Sequence, residues 1–234
     1  MEIDLKTIQI KNETVERWYA DIYVQVQKIR IAVENRLRAY NQEKDSTQPI
    51  IRVEEIFNMM LKTEKIISEE MTKYIKDHPA LDFLNHIKGI GGVLGCKLIA
   101  LIGDIENFDT VSKLWRYCGM GVIKGKAERR IKGEGMHYNQ RLKDLMFLIA
   151  KSFLMSQNKY SELYYKYKEY YQNNRKDWTP LHIHLASNRQ MIKIFLSHLW
   201  EQWRLAEGLN IRLPYVIEKL GHTGILRAEE FYDR

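Results

Sequence analysis

Between Pro79 and the first glycine-rich loop the chain reads Leu81-Asp-Phe-Leu-Asn-His-Ile-Lys-Gly-Ile-Gly-Gly-Val-Leu-Gly-Cys-Lys-Leu-Ile-Ala-Leu-Ile-Gly103. Apolar residues Leu81, Phe83, Leu84 and Ile87 lead into Gly89-Ile-Gly91, and a second apolar set, Val93, Leu98, Ile99 and Ile102, follows it. Two residues without Cβ atoms let the chain reverse tightly and bring backbone N–H groups close to a ligand. A helix starting near Gly92 adds the positive end of its dipole. The pattern predicts a helix-hairpin-helix whose amides hold a phosphate, which gives position on a nucleic-acid backbone but no base sequence. The competing expectation is an ordinary connection between two packed helices.

Upstream of this segment the chain is helical by periodicity. Trp18, Ile22, Val26, Ile29, Val33, Leu37 and Tyr40 recur at steps of 4, 4, 3, 4, 4 and 3, an eleven-residue repeat that a nearly straight helix sustains from Thr14 to Asn41. Polar residues Gln42 to Gln48, ending at Pro49, predict a turn. A second helix is expected from Val53 to Lys76, with Ile56, Met60, Ile67, Met71 and Tyr74 on one stripe. Two such helices make an antiparallel hairpin or dimerisation arm, or simply pack on the body. Downstream, a short helix from Asp109 to Cys118 is capped by Asp109 or Thr110. A basic loop spans Gly119 to Met136, and helices follow over Asn139 to Ser156 and on through a Tyr/Lys-rich stretch to Tyr171. A break from Asn173 to Pro180 precedes a long helix to Ala206. A last short helix runs from Pro214 to Gly221, and the tail is expected to be weakly structured. No alternating segment is long enough for a sheet. The fold class is all-α, with a long N-terminal helical hairpin over 1–78, a helical DNA-binding body over 79–222 containing the helix-hairpin-helix, and a C-terminal tail over 223–234.

The charge is concentrated. The chain holds 37 Lys plus Arg against 30 Asp plus Glu, a net charge of +7. Between Val111 and Lys151 lie ten cations (Lys113, Arg116, Lys124, Lys126, Arg129, Arg130, Lys132, Arg141, Lys143 and Lys151) against three acids, Glu128, Glu134 and Asp144. That window alone accounts for the whole surplus, which points to a polyanion partner. Its core, Gly121-Val-Ile-Lys-Gly-Lys-Ala-Glu-Arg-Arg-Ile-Lys-Gly-Glu-Gly135, is expected to be a flexible strand that follows a phosphate backbone and orders on binding. The candidate DNA-binding residues are Lys88, Gly89, Gly91, Gly92, Lys124, Lys126, Arg129, Arg130, Lys132, Arg141 and Lys143. No 18-residue apolar run and no signal peptide are present, so a cytoplasmic protein without a membrane partner is expected. Cys96 and Cys118 show no zinc or disulfide spacing, and no cofactor or metal is expected.

Taken in order, Ile87-Lys-Gly-Ile-Gly, then Leu101-Ile-Gly-Asp-Ile-Glu-Asn-Phe-Asp-Thr, then Leu114-Trp-Arg-Tyr-Cys-Gly119 resemble the C-terminal domain of insertion-sequence transposases of the IS-one-ten and IS-one-sixteen group. Gly125-Lys-Ala-Glu-Arg-Arg-Ile-Lys-Gly133, Tyr138-Asn-Gln-Arg-Leu-Lys143 and the segment from His182 to Trp200 are similar to a variant branch of that group. The resemblance spans residues 80 to 222. It implies enzymes that cut and rejoin DNA under guidance by a structured RNA. In them an N-terminal RuvC-like domain holds divalent metal on four carboxylates, and the helical domain supplies a serine nucleophile in a Ser-Gly context. This chain departs from both. No strand-rich segment precedes Gly89, and Glu34, Asp45, Glu54, Glu55 and Glu64 read as solvated helix-surface acids. Gly125-Lys126-Ala127 stands where Ser-Gly is expected, and no serine occurs from Lys113 through Lys151. Ser112 and Ser152 flank that gap, and Tyr117 and Tyr138 are the remaining candidate nucleophiles, with Arg129 or Arg130 beside a phosphate. No catalytic residue is assigned.

The expectation is therefore a transposase-related DNA-binding protein of a mobile genetic element, binding duplex or branched DNA, with structured RNA left open. Two alternatives stand beside it. One is an active nuclease, recombinase or helix-hairpin-helix glycosylase, for which Asp109, 18 residues after Gly91, is the candidate acid. The other is a structural subunit that forms a homo-oligomer through the N-terminal helices. Tyr160, Tyr164, Tyr167 and Tyr171, at 4, 3, 4 spacing, read as a packing stripe with wet hydroxyls rather than a stacking platform. His184 and His198 are 14 residues apart, too far along one helix to share a metal ion, and Trp200 and Trp203 are expected to seal the last long helix.

Overall fold

The structure, a computed structural model, describes residues 15–42, 51–123, 125–128, 133, 135–211 and 226–233. The helices are α1 (Val15–Gln42), α2 (Ile51–Tyr74), α3 (Leu81–Asn85), α4 (Gly92–Ile102), α5 (Val111–Tyr117), α6 (Gln140–Ser156), α7 (Lys159–Asn174) and α8 (Pro180–Ala206). Short 3-10 turns lie at Ile105–Asn107 and Ala228–Phe231. The protein is all-α. The one strand pair among the described residues, β1 (Val122–Ile123) with β2 (Lys126–Ala127), is antiparallel, two residues per strand, and lies in the basic loop. The turn expected at Gln42 to Pro49 and the helix expected from Pro214 to Gly221 lie outside the described residues. The chain divides into two compact units, Met1–Lys76 and Asp77–Arg234.

In the first unit α1 and α2 run antiparallel, with Tyr19 beside Tyr74 and Arg30 beside Glu64. Glu64 is a correction to the sequence expectation. It accepts from Tyr23 Oη at 2.9 Å, Gln27 Nε2 at 3.1 Å and Arg30 Nε at 2.5 Å, with its side chain only 12% exposed. Tyr23, Gln27, Arg30 and Glu34 follow the same 4, 3, 4 rhythm as the apolar stripe but on a neighbouring face, so the helix seam is polar at its middle. Arg30 continues the network to Glu34 at 2.9 Å. Burial by itself would raise the Glu64 pKa, but hydrogen bonds from Arg30, Tyr23 and Gln27 outweigh it and hold the carboxyl below its usual range. Burial and the bond to Glu64 push Tyr23 up to about 12. With that face used internally, Trp18, Ile29, Ile56 and Tyr74 of the expected apolar stripes remain exposed.

The second unit is built on α8. Thr179 caps it, its hydroxyl accepting from His182 N at 3.2 Å, and Pro180 occupies the first turn, where its missing N–H costs nothing. Met191, Phe195, Leu196, Leu199, Trp200 and Trp203 form its buried face, so the two tryptophans do seal the helix. Trp200 Nε1 donates to Phe108 O at 2.6 Å, and Arg204 Nη1 donates to Ile105 O and Phe108 O, each at 3.2 Å. These bonds fix the segment between α4 and α5. α5 starts at the N-cap Thr110 with no side-chain cap bond, because Asp109 instead pairs with Lys113 at 2.7 Å. α6 is capped by Asn139, whose Oδ1 accepts from Arg141 N and Leu142 N. It stops at Gln157, held left-handed at φ 51°, and Asn158 caps α7 as a separate helix.

The tyrosine stripe of α7 packs on α8, and the hydroxyls of Tyr160 and Tyr164 are paired with its histidines rather than wet. Tyr160 Oη lies 2.7 Å from His198 Nδ1, and Tyr164 Oη 2.8 Å from His184 Nδ1. His198 Nε2 lies 2.9 Å from Leu226 O, and a carbonyl only accepts, so Nε2 carries the proton and Nδ1 accepts from Tyr160. His184 is the opposite tautomer, since its Nε2 faces Asn188 Nδ2 at 3.0 Å. Among the described residues no cluster of His, Cys, Asp or Glu is arranged to hold a metal ion.

The tail is a second correction. Ala228 and Phe231 are buried, and Phe231 stacks on Tyr160 at 4.7 Å. Tyr232 stacks on His86 at 4.4 Å, and Asp233 N donates to His86 O at 2.9 Å. Residues 226–233 are thus docked on the segment leading into Gly89.

Candidate nucleic-acid interface

α3, the turn from His86 to Gly91, and α4 make up the segment expected to be a helix-hairpin-helix. Phe83, Leu84, Ile87 and Ile90 on one side and Leu98, Ile99 and Ile102 on the other are buried, while Leu81 and Val93 are half-buried. The two glycines differ in their need for glycine. Gly89 has φ +98°, and a Cβ there would sit 2.6 Å from Ser156 Oγ, 3.2 Å from Ser152 Oγ and 3.3 Å from Ser152 O. Gly91 is extended (φ −95°, ψ 172°), and a Cβ there would meet nothing within 4 Å. The fold requires the first glycine and tolerates any small residue at the second.

The turn is tied down through its carbonyls. Ser152 Oγ donates to Gly89 O at 2.6 Å, and Asn158 Nδ2 and Ser156 Oγ donate to Lys88 O at 2.7 and 3.3 Å. Ser152, one of two serines flanking the gap in the expected nucleophile position, is a structural anchor here. Asp233 takes the Lys88 amide at 3.0 Å and the Lys159 amide at 3.1 Å. A carboxylate therefore already uses one N–H of the turn. For the amides of Gly91, Gly92 and Val93 no acceptor lies among the described residues, and the first intrahelical bond runs from Gly95 N to Gly91 O at 2.9 Å. Gly91 and Lys88 are exposed.

Of the basic-loop candidates, Lys124, Arg129, Arg130 and Lys132 lie outside the described residues, as does the side chain of Lys126. The base of the loop is held on two sides. Lys143 Nζ donates to Glu128 O at 3.2 Å and lies 4.2 Å over the Tyr138 ring, while its aliphatic stem closes against Gly119. Arg189 Nη2 donates to Met120 O at 2.6 Å and Gly121 O at 2.5 Å. Lys143 is thus engaged in holding the loop, whereas Arg141 is exposed on the first turn of α6. Glu128 is turned inward, 6% exposed, and among the described residues neither carboxylate oxygen has a hydrogen-bond partner. Of the remaining cations, Lys113 is paired with Asp109. Neither candidate tyrosine is poised for attack: Tyr138 is buried beneath Lys143, and Tyr117 Oη accepts from Asn139 Nδ2 at 3.2 Å. Burial drives the Cys118 thiol far above its usual range, so it carries no thiolate.

α6 joins the two parts. Ser152 holds the Gly89 turn and Lys143 holds the loop base, nine residues or about 14 Å apart along the helix at 1.5 Å per residue. The anchors Ser152, Ser156, Asn158 and Asp233 went unseen in the sequence, where nothing distinguishes them from ordinary helix-end polar residues. Asn158 alone carried a signal, as a cap residue between two helical patterns.

The model of the Transposase IS116/IS110/IS902 family matches residues 81–166, which run from α3 through the basic loop and α6 into α7. The insertion element IS116 uncharacterized 44.8 kDa protein of Streptomyces clavuligerus is 22% identical over 99 residues, covering 42% of this chain and 25% of that relative. The match thus spans about a quarter of the relative's length. No described helix is long and apolar enough to cross a membrane. Residues 81–166, which hold both the Gly89 turn and the basic loop, are thus similar to the Transposase IS116/IS110/IS902 family.

Proposed function

We propose that this chain is a DNA-binding component of a mobile-element transposition system, holding the DNA backbone through a helix-hairpin-helix at Gly89–Gly92 and the adjacent basic loop. The observation that carries the reading is the start of α4, an 11-residue helix. There the Gly91, Gly92 and Val93 amides have no acceptor among the described residues, and Gly91 presents no side chain to keep a phosphate away. The placement of the whole +7 between Val111 and Lys151, in the loop beside it and the flanking helices, adds the long-range attraction. Lys88, Arg141, Lys124, Lys126, Arg129, Arg130 and Lys132 supply phosphate contacts, and the base sequence goes unread.

The test is the salt dependence of binding by the full chain to duplex DNA, a four-way junction and a structured RNA in parallel. Affinity should fall steeply with salt, as several counterions are released. Charge reversal at Arg129 and Arg130 should weaken binding far more than the same change at Lys65 and Lys73. An affinity that is flat with salt on every ligand overturns the proposal, and the strongest of the three ligands identifies the partner.

A second reading, self-association through α1 and α2, is supported by apolar exposure on that unit. Met59 is 66%, Ile66 59% and Ile29 52% exposed, more than a pair of amphipathic helices leaves open when it works alone. Sedimentation of the full chain and of a Met59→Ser, Ile66→Ser variant tests this. A wild-type monomer at micromolar concentration excludes it.

A further inference from the structure

Arg189 and Lys193 lie one turn apart on α8 and face the place where the basic loop leaves the body. Arg189 spends one terminal nitrogen on the carbonyls of Met120 and Gly121, and its Nε and Nη1 donors have no acceptor among the described residues. Lys193 Nζ lies 3.9 Å from the centre of the Trp115 ring, and Trp115 Nε1 donates to Lys193 O at 3.0 Å, so indole and ammonium are fixed together. Arg116, on α5, borders the same spot: its Cγ is 3.3 Å from where a Cβ on Gly121 would stand. Glu128 also borders Gly121, yet among the described residues no carboxylate forms an ion pair with Arg116, Arg189 or Lys193.

This arrangement costs the fold stability. Two cations one turn apart repel, and both are half-buried. Burial lowers the pKa of each, and the Arg189 charge lowers Lys193 further. The carbonyl clamp engages Arg189 and the Trp115 ring face holds the Lys193 ammonium, but neither brings a negative charge to the pair. An arriving anion offsets both repulsion and lost hydration, and a partly buried site strengthens the attraction.

We propose that Arg189, Lys193 and Arg116 form a phosphate-binding site at the root of the basic loop, where a phosphodiester of the bound nucleic acid is anchored on rigid helices. The ligand class rests on the nucleic-acid reading above, and the site is separate from the Gly89 turn. α5 and α8 are fixed by their own packing, so the site stands on rigid helices.

The experiment compares wild type, Lys193→Gln, Lys193→Arg and the exposed control Lys65→Gln, each as the full chain, by fluorescence anisotropy on duplex DNA and on a structured RNA between about 0.1 and 1 M salt. Loss of one phosphate contact makes the slope of log K against log salt shallower by about 0.9 on duplex DNA. Binding by Lys193→Gln is then about eightfold weaker at 0.1 M salt and converges with wild type near 1 M. Lys193→Arg restores the slope, Lys65→Gln does not alter it, and the melting temperature of Lys193→Gln is unchanged or higher. A wild-type slope in Lys193→Gln on both ligands overturns the site while leaving the nucleic-acid reading intact, and so does a lowered melting temperature with unchanged binding. If wild type binds neither ligand in a salt-dependent way, the nucleic-acid reading fails. The site is then judged by titrating inorganic phosphate against the Trp115 indole N–H resonance. A shift in wild type that is lost in Lys193→Gln supports an anion site, and no shift in wild type overturns it.

Discussion

Alanine substitutions at Gly89 and Gly91 separate folding from binding within one turn. At Gly89 the φ of +98° is one that a side chain resists, at about 1–2 kcal/mol. The added Cβ also meets Ser156 Oγ at 2.6 Å and Ser152 O at 3.3 Å. Ser156 can rotate away, forfeiting its bond to Lys88 O, but the Ser152 carbonyl belongs to α6 and cannot. Overpacking of this kind costs about 1–3 kcal/mol. Gly89→Ala should therefore destabilise the unit Asp77–Arg234 by about 3 kcal/mol, which for a unit of that size lowers the melting temperature by roughly 6–12 °C. Gly91→Ala adds a methyl group into open space on an extended backbone. The reduced freedom of the unfolded chain gains about 0.4–1 kcal/mol, and the poorer N-cap offsets most of it, so stability should stay within about 0.5 kcal/mol of wild type. Binding should respond in the reverse sense: the methyl group stands where a phosphate must approach the Gly91 and Gly92 amides, and duplex affinity should drop about tenfold, close to the net worth of one charge-assisted hydrogen bond. Thermal denaturation followed by circular dichroism, with anisotropy binding on the same samples, reads both effects. Equal stability loss at the two positions, or unaltered DNA affinity in Gly91→Ala, would refute the assignment of structural and binding roles.

Three further outcomes follow from the network geometry. Glu64 has a depressed folded pKa, so its stabilisation is present above the unfolded value near 4.3 and is lost as pH falls through the folded value. Glu64→Gln should cost about 1–3 kcal/mol at neutral pH and show a shallower acid loss below about pH 4, read as amide exchange at Gln27 and Arg30. His198 also has a lowered folded pKa, set first by burial, so its contribution is complete above about 6.5 and is lost as pH drops further. The melting temperature should fall between about pH 7 and 5, less steeply in His198→Gln; identical slopes would mean that another histidine governs the window. Asp233→Ala should cost about 1–2 kcal/mol and speed amide exchange at Lys88 and Lys159, whereas unchanged exchange at both amides would show that the tail does not hold the turn.

The extents of α1 and α2 and the end of α8 were legible to within two residues or so, because apolar periodicity is a local property. The all-α fold class and the concentration of charge between Val111 and Lys151 were equally plain, since periodicity and composition need no partner to be read. What the sequence could not assign was the partner of each polar group. Glu64 looked like any surface acid because its donors lie 34 to 41 residues away on another helix. Gly89 and Gly91 looked alike until Ser152 and Ser156, more than 60 residues on, left no room for a side chain at one of them. Lys143 and Arg189 count equally as cations in a charge sum, yet both hold loop carbonyls. By itself the sequence determined helices, turns and net charge, which follow from neighbours in the chain. Only the tertiary structure decided which amides, carboxylates and cations have partners, because those bonds are set by side chains that folding brings together from distant parts of the chain.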